Sequence, residues 1–230
     1  MSGAFELSRN GESIDLATPA QRVLAFLALH EQPVRRDHVA GVLWLDSNEE
    51  RAAGSLRSAL WRIRQCGEFI VESTHRGLRL APAVDVDVRE TILWARRVGD
   101  VSRPIEHNDV LEAFAGGELL ADWYDDWVLL ERERLRQLRL HALEVLTQRL
   151  VTVGRYADAM EVALVALRSE PLRESAHRAV ISVHLAEGNR SEALRQFRQY
   201  RELLRAQLGL EPSALMTGLV NALDVPVTAG

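Results

Sequence analysis

The chain has 230 residues and a formal net charge of −5. That is enough for one or two domains with a sizeable core, and the charge is the wrong sign for a bulk polyanion binder. Its one cysteine, Cys66, excludes an intramolecular disulfide framework and a multi-cysteine zinc site, and reads as a small filler near a helix end. No apolar run of about 18 residues offers a membrane span. The first residues also lack a basic stretch leading into an apolar one, so a cytoplasmic protein without a membrane partner is expected.

Taken in chain order, Phe5 to Leu7 and Ser13 to Leu16 read as a strand pair around Asn10-Gly11. Thr18 to Leu29 is an apolar helix, with Thr18 as N-cap and Pro19 in the first helical position. Gln32-Pro33 breaks the chain. Arg36 to Leu45 reads as a second helix with Val39, Val42 and Leu43 inward, and Asp46-Ser47-Asn48 as a turn.

The segment from Glu49 to Leu80 carries the functional signal. At about 100° per residue, Ala52, Leu56, Ala59, Leu60 and Ile63 share one side of a helix and face a core. Gly54, Ser58, Trp61 and Gln65 lie opposite. Arg51, Ser55 and Arg62 flank that outer face on one side, Arg57 and Arg64 on the other, and no acidic residue lies between Arg51 and Gln65. Small or polar groups with arginines around them suit a helix entering the major groove. Many exposed arginine faces are only solvated, so the neighbouring elements matter. Phe69-Ile70-Val71 and Leu78-Arg79-Leu80 read as strands, with His75-Arg76-Gly77 as the turn and Arg76 at its tip. From Arg51 to Leu80 six arginines face Glu68 and Glu72, a local charge of 6 − 2 = +4. A basic patch on an acidic whole suits a binder that seeks particular sites. A strand pair, three helices and a hairpin make the winged helix-turn-helix order, of the OmpR-like kind. Two positions depart from it. Trp61 sits mid-face and is expected to pack on the second domain or a neighbouring protomer, with a thymine methyl as the other partner. Gly54 weakens the helix interior by about 1 kcal/mol relative to alanine, and marks either a close approach or a bend.

Beyond Ala81-Pro82, Val84 to Val88 reads as a short strand or an extended link, and from Arg89 the pattern is almost wholly helical. Arg103 to Asn108 and Gly116-Gly117 are breaks. A long helix is expected from Asp126 to Val153, its charged first half a solvated face with pairs such as Glu131–Arg134. Gly154-Arg155-Tyr156-Ala157-Asp158-Ala159 recurs as Gly188-Asn189-Arg190-Ser191-Glu192-Ala193, an offset of 188 − 154 = 34, which is the tetratricopeptide (TPR) period. The glycine makes the turn between paired helices, and the alanine lets them approach. Leu146, Leu150, Leu164 and Leu167 are expected to form one seam; Val180, Val183, Leu194 and Leu203 form the next. The expected fold is therefore mainly α: a winged helix-turn-helix DNA-binding domain over residues 1–83, an all-α TPR-like domain over 84–224 and a tail over 225–230.

An enzyme is not expected. The seven histidines are scattered, His30 and His38 have no HExxH spacing, and Asp122, Asp125 and Asp126 read as a loop and helix start. No catalytic, metal or cofactor residue is assigned. No GxxxxGK[ST] phosphate loop occurs.

The order of these elements resembles the actinobacterial antibiotic regulatory proteins, in which a winged helix precedes a bacterial transcriptional activator domain. Several stretches carry the resemblance: Gln21-Arg22-Val23-Leu24 with Leu43-Trp44; Ser55 to Arg64; Gly117-Glu118-Leu119-Leu120 with Tyr124 to Trp127 and Glu131 to Leu135; Pro171-Leu172-Arg173-Glu174 with His177-Arg178; and Leu208 to Ser213. The resemblance implies an activator that binds direct promoter repeats as side-by-side protomers, a homodimer at least on double-stranded DNA, and that recruits RNA polymerase. It implies DNA contacts from Arg51, Ser55, Arg57, Ser58, Arg62, Arg64, Thr74 and Arg76. Arg62 is placed on a base, Arg57 and Arg64 on phosphates, and Thr74 and Arg76 in the wing. The alternatives are a TPR-like scaffold whose winged helix binds protein, and a repressor of the same architecture.

Overall fold

The computed structural model describes residues 4–66 and 70–221. Phe69 of the expected strand and the expected tail, 225–230, lie outside the described residues. The chain divides into two compact units, Met1–Ile92 with Gly117–Arg136, and Leu93–Gly116 with Gln137–Gly230. The boundary expected after residue 83 follows the chain, whereas this division follows packing.

In the first unit, β1 (Ser8–Arg9) and β2 (Glu12–Ser13) pair antiparallel and are exposed. The ladder gathers closer to the Asn10-Gly11 turn than expected, with one further bond from Ile14 N to Leu7 O at 2.7 Å. Helix α1 spans Thr18–Ala28. Thr18 is its first residue and not the cap. Ala17 precedes it without a side-chain bond, and the Ala17 carbonyl accepts from Ala20 N and Gln21 N instead. Helix α2 spans Arg36–Leu43 and ends two residues early because Trp44 leaves helical geometry. Helix α3 spans Glu49–Gln65, and the Asn48 side chain caps it by accepting from Arg51 N at 2.9 Å. Glu49 and Glu50 in its first turn and Arg62 and Arg64 in its last complement the helix dipole. Of the expected inward set, Ala52, Leu56, Ala59 and Ile63 are buried, against α1 and α2, while Leu60 is half-buried at the edge.

Strands β3 (Val71–Thr74) and β4 (Gly77–Leu80) form the hairpin. Val34 bonds reciprocally with Leu78, at 2.8 Å each way, so the segment before α2 is joined to the hairpin's second strand. Gly77 is obligatory here for more than its φ of +139°: a Cβ would lie 2.1 Å from Val34 O. The 84–86 segment is an extended link, and α4 (Asp87–Gly99) follows it.

Residues 117–136 complete this core. Phe5 stacks on Trp123 at 6.1 Å, and Trp127 meets Phe26 edge-on at 5.4 Å. Asp125 pairs with Arg22. Helix α6 (Asp126–Thr152) matches the expected long helix, but its charged first half is not simply solvated. The Arg132 guanidinium donates to Leu119 O at 2.9 Å, Leu120 O at 2.6 Å and Trp123 O at 3.0 Å. It is the fastener of an irregular turn in which Leu120 takes a φ of +46°. A leucine-rich turn, two tryptophans and an arginine on the next helix thus act as one packing device, which accounts physically for the family-like run from Gly117 to Leu135.

The second unit is helical, with α5 (His107–Phe114), α7 (Tyr156–Ser169), α8 (Glu174–Ala186), α9 (Arg190–Leu208) and α10 (Ala214–Asn221) joining parts of α4 and α6. Asp109 is buried between two tasks: it accepts from Glu106 N in the α5 capping box and from Arg97 at 2.8 Å. The 34-residue repeat has the expected basis. Gly154 and Gly188 turn the chain at φ +75° and +81°, and Ala159 and Ala193 are fully buried. The seams differ in part. Leu146 and Leu150 are buried, but α7 presents Ala159, Val162, Ala163 and Ala166, while Leu164 and Leu167 stay half-buried. On α9 the buried residues are Ala193, Phe197, Tyr200 and Leu204, with Leu194 and Leu203 at the flanks. On α7 the close approach leaves room only for small side chains, so its leucines move aside; on α9 the larger Phe197, Tyr200 and Leu204 fill the seam beside Ala193. His177 is buried, with Nε2 bound to Pro171 O at 2.8 Å and Nδ1 to Gln196 at 2.9 Å. Burial pushes its pKa below the ordinary value. Glu174 accepts from Ser213 N at 2.8 Å, bringing the Pro171 and Pro212 neighbourhoods together.

Candidate nucleic-acid interface

Capped at Asn48 and buried along its Ala52–Ile63 side, α3 can turn only one face outward. Arg51, Arg57, Ser58, Arg62 and Arg64 are exposed on it, with Ser55 half-buried. The Ser58 hydroxyl donates to Gly54 O at 3.1 Å, leaving its oxygen free to accept. Gly54 lies within the continuous helix α3, and no neighbouring element of the chain crowds it: a Cβ there would meet only Arg57 Nη2, at an ordinary 3.6 Å.

Electrostatically, the face is open. Among the described residues, none of the side chains of Arg51, Arg57, Arg62, Arg64 and Arg76 pairs with a carboxylate or donates to a carbonyl. The pattern is not general to the unit. Arg79, counted in the local charge, is matched across the hairpin by Glu72 at 2.7 Å, and Arg35 is matched by Asp37, whose carboxyl it holds below its ordinary pKa. The unmatched charge is thus concentrated on α3 and the hairpin tip.

The hairpin places its two expected residues differently. Arg76 is exposed at the tip. The Thr74 hydroxyl is engaged within the turn, donating to Gly77 O and accepting from Arg76 N, each at 3.2 Å. Thr74 therefore shapes the tip that presents Arg76. Two residues escaped the sequence reading. Arg36, at the start of α2, donates to Ser73 Oγ at 2.9 Å, and both line a small cleft with Arg64, Leu60, Ile63, Val71 and Leu78. The bond spans 37 positions of sequence, and no local pattern marks it. It brings a second guanidinium beside Arg64 at the junction of α2, α3 and the hairpin.

No group of three or more histidine, cysteine or acidic side chains that could hold a metal ion occurs among the described residues. None of their helices is long and apolar enough to cross a membrane.

Comparisons with known proteins agree with this architecture. The bacterial transcriptional activator domain family matches residues 95–223. The chain is 28% identical over 224 residues to Regulatory protein AfsR of Streptomyces coelicolor, covering 91% of this chain and 22% of that protein. It is 23% identical over 222 residues to Regulatory protein AfsR of Streptomyces griseus, covering 91% and 23%. The chain therefore spans under a quarter of the length of these curated relatives. EmbR of Mycobacterium tuberculosis, solved in complex with a low affinity phosphopeptide, matches with a TM-score of 0.77 at 20% identity, covering 96% of this chain and 63% of that one. That likeness establishes the fold: mainly helical, with small antiparallel hairpins in the N-terminal part.

Proposed function

We propose that this protein is a sequence-selective DNA-binding regulator of transcription: the chain belongs to the bacterial transcriptional activator domain family, and its first unit carries a winged helix built to meet a polyanion. The single observation that carries the DNA-binding part is the outward face of α3, where four guanidiniums have no carboxylate partner among the described residues. Leaving charges unmatched beside one another raises the free energy of the free protein, and phosphates relieve it by releasing counterions.

In this reading α3 lies in the major groove. Arg62 is bidentate to a guanine, Ser55 and Ser58 accept or donate at base edges, and Arg51, Arg57 and Arg64 hold phosphates. Arg36 adds a phosphate contact beside Arg64, and Arg76 reaches the backbone or minor groove from the tip that Thr74 shapes. Protomers bind side by side on direct repeats, a homodimer at least on DNA, and the helical unit serves activation through RNA polymerase. The protein acts in the cytoplasm. The relatives' description as regulatory proteins supports this assignment.

The test is selection from fragmented genomic DNA at near-physiological salt, then titration of the best fragment against a scrambled one. The expected result is specific affinity about a thousandfold or more above non-specific, with half-sites about one helical turn apart. No enrichment by the folded protein rejects the DNA-reading function and favours a protein-binding scaffold. Transcription from the selected fragment in a purified system then separates activator from repressor.

A further inference from the structure

We infer that Trp61 reads the 5-methyl group of a thymine in the major groove, so that the preferred site carries a thymine opposite the C-terminal half of α3. This rests on the DNA-reading function and names a base it selects.

Trp61 is 62% exposed. Among the described residues its ring stacks on no other ring, and its indole N–H donates to no protein acceptor. An indole left in water on a helix whose other apolar residues are inward calls for a partner outside the unit. Its neighbours limit what that partner is. Arg57 and Arg64, at i−4 and i+3, lie to one side, and Arg51 and Arg62 lie to the other. A surface laid along this face of α3 must also meet four guanidiniums without carboxylate partners among the described residues. A protein surface able to do so needs an apolar centre bordered by acidic groups on both sides. The major groove has that layout already. It is about 12 Å wide and admits a helix, with a phosphate backbone along each side. Arginine pairs on the two flanks then face the two strands, and the ridge between them faces the base edges. The apolar group displayed there is the thymine methyl. The indole N–H, a donor only, can reach a neighbouring carbonyl or N7 acceptor.

The experiment uses the full chain and its best genomic fragment. Each thymine of the site is replaced singly by deoxyuridine, which removes only the methyl group. Binding is titrated for the unaltered protein, Trp61→Ala and Trp61→Phe. For the unaltered protein, one thymine per half-site should be sensitive, with affinity falling about fourfold, the equivalent of one buried methyl group. Trp61→Ala should bind the thymine site more weakly and lose that sensitivity. Trp61→Phe, which keeps an apolar face, should retain most of it. Indifference of the unaltered protein to every replacement overturns the inference, as does an undiminished thymine preference in Trp61→Ala. A change in the oligomeric state of the free protein without loss of thymine sensitivity assigns Trp61 to a protein contact and also overturns it. If the unaltered protein selects no sequence at all, the DNA-reading function itself fails, which is a different result from selection that ignores the methyl.

Discussion

Helices α3 and α6 are both rich in arginine, and the two sets live in opposite surroundings. On α6, Arg134 and Arg136 pair with Glu131 and Glu133 at 2.7 and 2.8 Å, Arg139 donates to Ala113 O at 2.6 Å, and Arg149 donates to Val98 O at 2.6 Å. Arg132 gathers three carbonyls. On α3, no guanidinium finds such an acceptor among the described residues. The same side chain is a fastener where carbonyls and carboxylates surround it, and an unmatched charge where they do not. Local charge density does not distinguish the two cases; satisfaction does.

The comparison breaks most readily at Arg132. Arg132→Ala leaves three carbonyls of the 119–123 turn without their donor, and should destabilise the first unit by about 3 kcal/mol or more, read as a lower midpoint in urea unfolding. If the midpoint hardly moves, α6 is no more tied by its arginines than α3. The opposite split is expected for Arg62→Ala. Its unfolding midpoint should stay within about 0.5 kcal/mol, while affinity for the specific site falls by roughly 1–3 kcal/mol and affinity for scrambled DNA changes far less. Equal loss on both DNAs removes the base-reading role and leaves a phosphate role. Arg36→Ala should lower the dependence of log affinity on log salt by about 0.9, one phosphate contact, and an unchanged slope reduces Arg36 to a tether for Ser73.

Gly54→Ala gives a smaller effect that sharpens the contrast. The free protein should gain about 1 kcal/mol, since a methyl there meets only Arg57. If DNA affinity drops even so, Gly54 is kept for the approach of the DNA backbone. The last test is a control far from α3. The neutral form of His177 is favoured by burial, so the folded chain binds fewer protons than the unfolded one as pH falls below about 6.5. Stability is therefore present above that pH and lost below it. His177→Gln should flatten the loss between neutral and mildly acidic pH while leaving DNA affinity at pH 7.5 unchanged; an unaltered acid profile means that other groups set it.

Much of this was legible in the residues alone, because the signals were local. Periodicity placed α1, α3 and α6 within a few positions, and it chose the buried side of α3, where Ala52, Leu56, Ala59 and Ile63 recur at helical spacing. The 34-residue offset located the two glycine turns. The exposed set Arg51, Arg57, Arg62 and Arg64 followed from the same angles. Some local readings missed even so. Thr18 is one residue too late to cap. Leu146, Leu150, Val180 and Val183 are buried as expected, but α7 and α9 bury Ala163, Ala166, Phe197 and Tyr200 in place of Leu164, Leu167, Leu194 and Leu203.

Sequence by itself thus determined which residues form helices, which side of each is apolar, and where charge of one sign collects, since these depend on neighbours within about a turn of chain. Pairs one turn apart, such as Glu131–Arg134, are within its reach too; tertiary structure alone decided which charges are satisfied at longer range. Arg79 is matched by Glu72 across a hairpin, Arg132 by carbonyls nine to thirteen positions away, and Arg36 by Ser73 across 37. It also showed that Gly77 is required by Val34 and that Trp61 stays open to solvent. Those outcomes depend on groups that meet only when the chain has folded back on itself, and no spacing along the sequence encodes the meeting.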